Sequence, residues 1–399
     1  MSSSTRAGAP KLDDLYARRA KTARATAEWP DGPETAISLS YGFAAPEAFP
    51  VEDLHAATGE VLFEDAAEAL NYGPTSPRLV ELIASRMRER GIQAGRENIL
   101  VTHGSSQALA LLPLVMVDRG DTVIVEGPSF MGAVRNFIAA GAQLVTAPTD
   151  DQGLDVDALE QILRDLRARG VRPKFLYTIP TYHNPTGTLL PLERRRRLVA
   201  LAAEYGLLVV EDDAYGELRF EGEPATRLAA LDEEGWVLHV GTFSKILAPG
   251  VRMGFACGRP ELIQRLQMFK LEGGQPFFSR VVERYCADGR LDAHIRELNV
   301  LYRRKRDLML EAMRRELPAG WSAAVPQGGF FIWCRLPEGM SAEALLKQAE
   351  AAGVTFVPGT QFFANGQGDD AIRLAFSFQS EERIAEGIAR LGAAMRALL

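Results

Sequence analysis

Short apolar runs alternate with longer amphipathic segments between residues 98 and 257 of the chain. The amphipathic segments include 155–169 and 193–205, in which apolar residues recur with helical spacing. Strands that alternate with helices in this way form parallel sheets with helices on both faces. The pattern therefore predicts an α/β fold with a mostly parallel sheet covered by helices. The apolar runs that we interpret as strands are 98–102, 121–125, 174–179, 207–210 and 236–240.

The last third of the chain follows a different pattern. A long helical stretch, 261–316, is interrupted near Gly273-Gly274-Gln275-Pro276, and strand-like runs follow at 329–335 and 371–378. A further helical segment covers 380–399. This order predicts a second, smaller α+β domain.

Composition argues against several classes of protein. The 399 residues include 45 Lys and Arg against 52 Asp and Glu, a net charge of −7, whereas dedicated nucleic-acid binders are more often basic. The three cysteines and five histidines show none of the spacings of disulfide frameworks or zinc sites. The longest apolar stretch, 108–117, is too short to span a bilayer, and the polar first residues do not resemble a secretory signal. We therefore expect a soluble, cytoplasmic protein without metal, membrane or nucleic-acid partners.

Polar residues follow several of the predicted strands, and ligands of open α/β sheets bind beyond the carboxyl ends of the strands. Ser105, Ser106 and Gln107 come after the first run and begin an apolar helical segment. Free N–H groups at a helix N-terminus suit a phosphate, although the serines could equally be simple helix caps. Asn184 lies in a loop rich in proline and glycine, which indicates a fixed turn or a plain loop.

An acid and a lysine follow two other strands. Asp212 lies within Glu211-Asp212-Asp213, directly after a run that should be buried, where a carboxylate needs a cation or a donor unless it is solvated. Of the seven lysines, only Lys245 directly follows a predicted strand, in a segment rich in serine, glycine and proline. A nearby cation such as Arg252 would lower the pKa of this lysine and make its amine suitable for a Schiff base. The alternative is a surface lysine.

One ligand accounts for all of these residues. Ser105, Ser106 and Gln107 would take a phosphate, Lys245 would form an imine with an aldehyde, and Asp212 would pair with a protonated ring nitrogen. Asn184 and Tyr215 would hold a ring oxygen. A ligand with these groups is pyridoxal 5'-phosphate, to which a protein contributes binding, orientation and a partner for the ring nitrogen.

Four motifs resemble those of the class I/II aminotransferases, the aspartate-aminotransferase-like, fold type I family of pyridoxal-phosphate enzymes. The resemblance extends from about residue 39 to the C-terminus, and within the family it is strongest to the branch of 2-aminoadipate and kynurenine aminotransferases. The motifs are Asn184-Pro-Thr-Gly187, Asp212-x-x-Tyr215, Ser244-Lys245-x-x-x-Pro-Gly-x-Arg252-x-Gly254, and Arg373 in Ile-Arg-Leu-Ala-Phe.

The resemblance implies further roles. It implies an N-terminal segment (1–45) that packs with the small domain, a large cofactor-binding domain (46–285) and a small C-terminal domain (286–399). It implies a homodimer in which Tyr72 reaches the cofactor phosphate of the neighbouring subunit. It also implies that Thr242, Ser244 and Arg252 contact the phosphate and that Arg373 binds the substrate α-carboxylate. Phe130 would stack on the ring, unless it is a core residue. Gly42 would lie on the substrate side, unless it is a turn glycine.

The implied reaction moves an amino group between an L-amino acid and a 2-oxo acid. Lys245 would carry the α-proton as base and then as acid, while Asp212 keeps the ring nitrogen protonated. The same residues would also serve a lyase, a replacement enzyme, a decarboxylase, an oxidase or a cyclising enzyme that acts on an amino acid. His183 is either a second acid/base or a hydrogen-bonded loop histidine. Arg18, Arg19 and Arg24 are candidates for reading an acidic substrate or are surface-helix arginines.

Overall fold

The computed structural model describes residues 12–17, 36–271 and 273–399 of the chain. Arg18, Arg19 and Arg24 lie outside these residues. The strands are β1 (Ile37–Ser38), β2 (Ile99–His103), β3 (Thr122–Gly127), β4 (Gln143–Asp150), β5 (Gly153–Leu154), β6 (Phe175–Thr178), β7 (Leu208–Asp213), β8 (Val237–Thr242), β9 (Met253–Cys257), β10 (Phe331–Arg335), β11 (Val354–Thr355), β12 (Val357–Pro358) and β13 (Ala371–Ala375).

The helices lie mainly between and after these strands. They are α1 (Val51–Glu64), α2 (Ala66–Ala69), α3 (Pro77–Glu89), α4 (Ser105–Met116), α5 (Met131–Ala140), α6 (Val156–Ala168), α7 (Leu192–Tyr205), α8 (Leu228–Leu231), α9 (Pro260–Phe269), α10 (Pro276–Cys286), α11 (Arg290–Glu316), α12 (Ala342–Ala351) and α13 (Glu381–Arg396). Within the described segments, no helix has the length and apolar character needed to cross a bilayer.

Eight strands form the main sheet, in the order β2-β9-β8-β7-β6-β3-β4-β5. The central strands are parallel, and only β9 and β5 run against their neighbours. The predicted α/β fold with a mostly parallel, helix-covered sheet is therefore confirmed. All five apolar runs that we interpreted as strands belong to this sheet.

Side-chain alternation along the central strands produces two separate cores. Tyr177 and Val210 point to the face covered by α4, α5 and α9. Leu176 and Val209 point to the opposite face, which is covered by α6 and α7. Because successive strand residues point to opposite faces, neighbours in sequence at the end of β7 face different surroundings. This alternation decides which acid of Glu211-Asp212-Asp213 can reach a ligand.

A smaller antiparallel sheet, in the order β10-β13-β12, lies in the C-terminal part of the chain. The short strand β1 pairs in parallel with β11, so the segment around Ile37 joins the C-terminal part. These pairings do not fix domain boundaries, and the division at residues 45 and 285 stays a prediction.

The long helical stretch has two interruptions where the sequence predicts one. The first lies at Gly273–Pro276, between α9 and α10, as predicted. The second lies between α10 and α11, where Asp288 has φ 58° and Gly289 has φ 73°. Positive φ angles cannot continue a right-handed helix, and Asp-Gly is a turn signal that the sequence interpretation did not use.

Helices α11 and α13 approach each other closely at Gly392, which is buried. A Cβ atom at this position would overlap the carbonyl oxygen of Glu316, the last residue of α11. The glycine is therefore required by the distance between the helices and not by its own backbone conformation.

We predict that Gly392→Ala lowers the free energy of unfolding by about 1–2 kcal/mol, because the overlap outweighs the better helix propensity of alanine. The matched control is Gly59→Ala in α1, an exposed helical glycine with no atom within 4 Å of the Cβ that the substitution would add. This control should raise the free energy of unfolding by about 0.5–1 kcal/mol. Urea denaturation of both variants checks the prediction, and equal effects of the two would contradict it.

Candidate active site

The carboxyl end of β7 carries three consecutive acids that the strand separates by face. Glu211 is fully buried beside His239, whose Nδ1 lies 3.0 Å from Glu211 Oε2, and it accepts the backbone N–H of Leu228 at 2.7 Å. Asp213 pairs with Arg227 at 2.5 Å. Both acids therefore have partners among the protein's own residues, and both lie on the face of the sheet opposite Asp212.

Asp212 points to the other face and is buried. Its Oδ2 accepts a hydrogen bond of 2.7 Å from the hydroxyl of Tyr177 in β6. Its Oδ1 is buried and has no hydrogen-bond partner among the described residues. Burial raises the pKa of Asp212 to about 6, so the carboxyl is ionised above that pH. A buried carboxylate oxygen without a partner is costly unless a donor such as a ring N–H faces it.

Lys245 follows β8 and is half-buried. Its Nζ donates a 2.8 Å hydrogen bond to the carbonyl oxygen of Gly42 and lies 5.7 Å from the ring centre of Phe330. Burial, together with the positive charges of Arg373 and Arg252, lowers the pKa of Lys245 to about 8. A considerable fraction of this amine is therefore uncharged near neutral pH.

Arg373 in β13 extends from the small sheet toward Asn184. Its Nη1 donates to Asn184 Oδ1 at 2.9 Å, and its Nη2 donates to the carbonyl oxygen of Ser40 at 2.6 Å. Its guanidinium lies 4.3 Å from the ring centre of Phe331 and 4.9 Å from that of Phe362. Burial lowers the pKa of Arg373 to about 10, and its buried Nε has no hydrogen-bond partner among the described residues. Arg373 can therefore bind a carboxylate ligand by donating hydrogen bonds to it.

A cradle for an anion surrounds the N-terminus of α4. Gly104 precedes this helix, and the Arg252 guanidinium lies over it while Nη2 donates to the carbonyl oxygen of His103 at 3.2 Å. A Cβ on Gly254 would overlap the backbone N atom of Ser105, so only glycine permits this close approach. Arg252 itself has φ 49°, a backbone conformation that residues other than glycine rarely adopt and that often marks functional sites.

The hydroxyls predicted to contact the phosphate lie in two places. Thr242 and Ser244 are buried and joined by a 3.0 Å hydrogen bond. Ser105 and Ser106 begin α4, and Ser106 is exposed. Gln107 turns back, because its Oε1 accepts the backbone N–H of His103 at 2.9 Å. The role of Gln107 in holding phosphate stays a prediction that needs a different side-chain position.

The two aromatic residues of the predicted site, Tyr215 and Phe130, have different surroundings. Tyr215 is buried with its ring edge-on to Phe330 and Phe331, and burial raises the pKa of its phenol. Phe130 is half-buried and caps α5, with Gly132 directly beneath its ring. Stacking of Phe130 on a cofactor ring stays a prediction.

Gly42 owes its identity to close packing. A Cβ there would lie 2.5 Å from the ring of Phe331. Its neighbours Tyr41 and Phe43 stack on each other with ring centres 4.7 Å apart, and Phe378 meets both rings edge-on. The segment 40–43 thus covers Lys245 and Arg373 with its backbone and anchors itself with its side chains.

His183 is a hydrogen-bonded loop residue. Its Nδ1 accepts the backbone N–H of Thr186 at 3.3 Å, so its Nε2 carries the proton and donates to Glu126 Oε2 at 3.0 Å. Glu126 also accepts the hydroxyl of Thr178 at 2.6 Å and the N–H of Ile179 at 2.9 Å. Both ring nitrogens of His183 therefore hold the loop that carries Asn184, which favours the structural interpretation.

Tyr72 is fully exposed, away from the residues above. The segment that carries it packs on the first helix interruption, because a Cβ on Gly274 would overlap the backbone of Thr75. Gln275 then donates to the carbonyl oxygen of Arg252 at 3.2 Å. The structure thus shows a physical role for the Gly273–Pro276 segment, which links Tyr72's segment to the anion cradle.

Sequence reasoning missed Tyr177, Ser40, Phe331 and Phe362. Tyr177 alone gave a usable signal, because a tyrosine within a buried strand needs a partner for its hydroxyl. The others are ordinary residues until the chain brings them to Arg373.

Comparison with known proteins identifies the class of protein. The model of the family "Aminotransferase class I and II" matches residues 37–391. The chain belongs to this family and is a pyridoxal-phosphate-dependent aminotransferase, and its relatives do not favour the alternative chemistries. The unpaired Asp212 oxygen, the Lys245 amine and the glycine-lined cradle fit this cofactor.

The relatives include enzymes for several amino acids. The chain is 43% identical to aromatic-amino-acid aminotransferase 1 of Thermococcus litoralis, over 89% of this chain and 87% of that protein. It is 40% identical to 2-aminoadipate transaminase of Thermus thermophilus, over 91% of each. The solved structure of Pyrococcus horikoshii kynurenine aminotransferase matches with a TM-score of 0.91 and 37% identity, over 97% of this chain and 98% of that one.

We predict that the Lys245 amine of the cofactor-free protein reacts with an amine reagent with a midpoint near pH 8, because burial and two arginines disfavour its charged form. Reductive methylation at a series of pH values, followed by peptide mass spectrometry, measures this midpoint. The exposed Lys347 serves as the reference for the reagent. A Lys245 midpoint near the ordinary value of 10.5 would show that neither burial nor the arginines lower its pKa.

Proposed function

We propose that Lys245 holds the cofactor and carries the proton in the transfer of an amino group from an L-amino acid to a 2-oxo acid. The observation that carries this proposal is the position of its amine, which has a pKa of about 8 and is affected by Arg373, Arg252 and Asp212. Bound pyridoxal phosphate supplies an aldehyde that combines with amines and a ring that takes up electrons from the substrate α-carbon.

The residues on the cofactor side divide the work of binding. Asp212 offers Oδ1 to the ring nitrogen and keeps that nitrogen protonated, since the carboxyl is ionised above about pH 6. Asn184 and Tyr215 hold the ring oxygen, and Phe130 covers the ring. The phosphate is held at the cradle by Ser105, Ser106, Gln107, Thr242, Ser244 and Arg252.

The residues on the substrate side orient the α-carbon. Arg373 binds the α-carboxylate as a fork, because a charged acceptor is stronger than the Ser40 carbonyl that Nη2 contacts in the structure. Gly42 lies on the substrate side, where the absence of a side chain lets the main chain pack against the ring of Phe331. Once its amine is free, Lys245 removes the α-proton as a base and returns a proton as an acid, which suits a pKa near the working pH.

We expect Lys245→Ala to lower kcat by about 10²–10⁴-fold or more, because it removes the acid/base group. Borohydride reduction of the parent enzyme should add the cofactor mass to the peptide that contains Lys245. Lys347→Ala, at an exposed position in α12, is the matched control and should keep activity and labelling. Cofactor mass on another lysine would overturn this part of the proposal.

We also propose a cytoplasmic homodimer in which Tyr72 completes the site of the other subunit. Cys257, Cys286 and Cys334 are free thiols, which supports a reducing compartment. Large exposed apolar side chains accompany Tyr72, and clusters of these usually mark interfaces. They are Phe63, Leu70, Leu271 and Phe278.

Mixing two impaired variants tests whether Tyr72 acts across subunits. Tyr72→Ala should lower activity by about tenfold or more through the loss of a phosphate contact, and Lys245→Ala should abolish it. When the two are unfolded and refolded together, mixed dimers should regain activity, because one of their two sites contains both residues. Each variant refolded alone is the control, and no recovery in a mixture that does form dimers would place Tyr72 outside the partner's site.

A further inference from the structure

We propose that Tyr177 is a positioning residue that fixes the orientation and the charge of Asp212 for the cofactor ring nitrogen. The proposal rests on the role of Asp212 given above. It concerns how the protein keeps a buried carboxylate ready for a cationic partner.

The geometry places the two side chains together from neighbouring strands. Tyr177 pairs with Val210 across β6 and β7, so Asp212 lies two residues further along β7 on the same face. Tyr177 has no exposed surface, and its ring packs edge-on against Phe137 at 5.5 Å. The phenol therefore has a fixed position from which to reach Asp212 Oδ2 at 2.7 Å.

The two oxygens of Asp212 consequently have different roles. An ionised carboxylate can only accept hydrogen bonds, so the Tyr177 hydroxyl must donate to Oδ2. This bond holds the plane of the carboxyl group and leaves Oδ1 as the oxygen without a partner among the described residues. Without the hydroxyl, the carboxyl group could rotate, and neither oxygen would be reserved for the ring nitrogen.

The surrounding charges make this single hydrogen bond important. Burial and the negative charges of Asp213 and Glu126 disfavour ionisation of Asp212, while Tyr177 and His239 favour it. The ionisable groups of the site, Lys245 and Tyr215, are also coupled electrostatically to Asp212. Asp213 Oδ2 accepts a hydrogen bond from Arg227 and Glu126 Oε2 lies 3.0 Å from His183 Nε2, whereas the hydrogen bond to Asp212 comes from Tyr177.

The loss of the hydroxyl therefore has a consequence with a definite sign. Without Tyr177 as donor, the pKa of Asp212 in the cofactor-free protein rises above its value of about 6. Below this raised pKa, the carboxyl is protonated and must lose its proton before it pairs with the ring nitrogen. Each unit of pKa increase then weakens cofactor binding about tenfold at low pH, but not at a pH where the carboxyl is already ionised.

The test compares the full-length parent with Tyr177→Phe by titrating each cofactor-free protein with pyridoxal phosphate between pH 6 and pH 9. The ratio of the two dissociation constants should be near one at pH 9 and, for a pKa increase of about one unit, rise to about fivefold or more at pH 6. Tyr285→Phe is the matched control, since Tyr285 is also fully buried but its hydroxyl has no hydrogen-bond partner among the described residues. Its ratio should stay near one at every pH.

A second variant covers the case in which Tyr177→Phe does not fold. Replacing Tyr177 with 3-fluorotyrosine keeps the shape of the ring and makes the hydroxyl a stronger donor, so the affinity should fall less steeply toward low pH than in the parent. A ratio that is the same at every pH, for either replacement, would overturn the proposal and leave Tyr177 a packing residue. If borohydride still labels Lys245 in that case, only the role of Tyr177 fails, whereas labelling of another lysine would refute the proposed function itself.

Discussion

The two-residue period of strand β7 is the constraint on which the active site depends. Three consecutive acids end this strand, and repulsion among them would be severe if they shared one surface. Alternation sends Glu211 and Asp213 to one face of the sheet, where His239 and Arg227 bind them. Asp212 remains alone on the other face, with one oxygen bonded to Tyr177 and one unpaired among the described residues. The fold thereby isolates a single carboxylate on this face of the sheet, where we propose that it meets the cofactor.

A second requirement is that distant parts of the chain meet at the site. Arg373 comes from the small sheet and Asn184 from the loop that follows β6 in the large one, and they are joined by a 2.9 Å hydrogen bond. The loop that carries Asn184 is held by the contact between His183 and Glu126, both of which are buried. Hydrogen bonds within the protein therefore join Arg373, to which we assign the substrate, and Asn184, to which we assign the cofactor.

Much of this arrangement could be predicted from sequence because its signals are local. Strand runs followed by polar residues gave the sheet and the positions of Asp212 and Lys245, and the motifs gave the family. Contacts between remote residues left no such signal: Ser40 and Arg373 are 333 positions apart, and nothing in either segment indicates their hydrogen bond. The break at Asp288 and Gly289 was predictable in principle, but helical periodicity on both sides concealed it.

The backbone of residues 40–42 accepts hydrogen bonds from both key cations of the site. The carbonyl of Ser40 accepts from Arg373 and the carbonyl of Gly42 accepts from Lys245. If Arg373 binds the substrate carboxylate as proposed, an incoming amino acid must displace this carbonyl from the guanidinium, and its net binding energy is reduced by that hydrogen bond, about 0.5–1.5 kcal/mol. Since the Gly42 carbonyl is only two residues from that of Ser40, displacement of the Ser40 carbonyl from Arg373 would disturb the hydrogen bond between Gly42 and Lys245. With the roles proposed for Arg373 and Lys245, recognition of a carboxylate and release of the lysine amine would be mechanically linked through three residues of main chain.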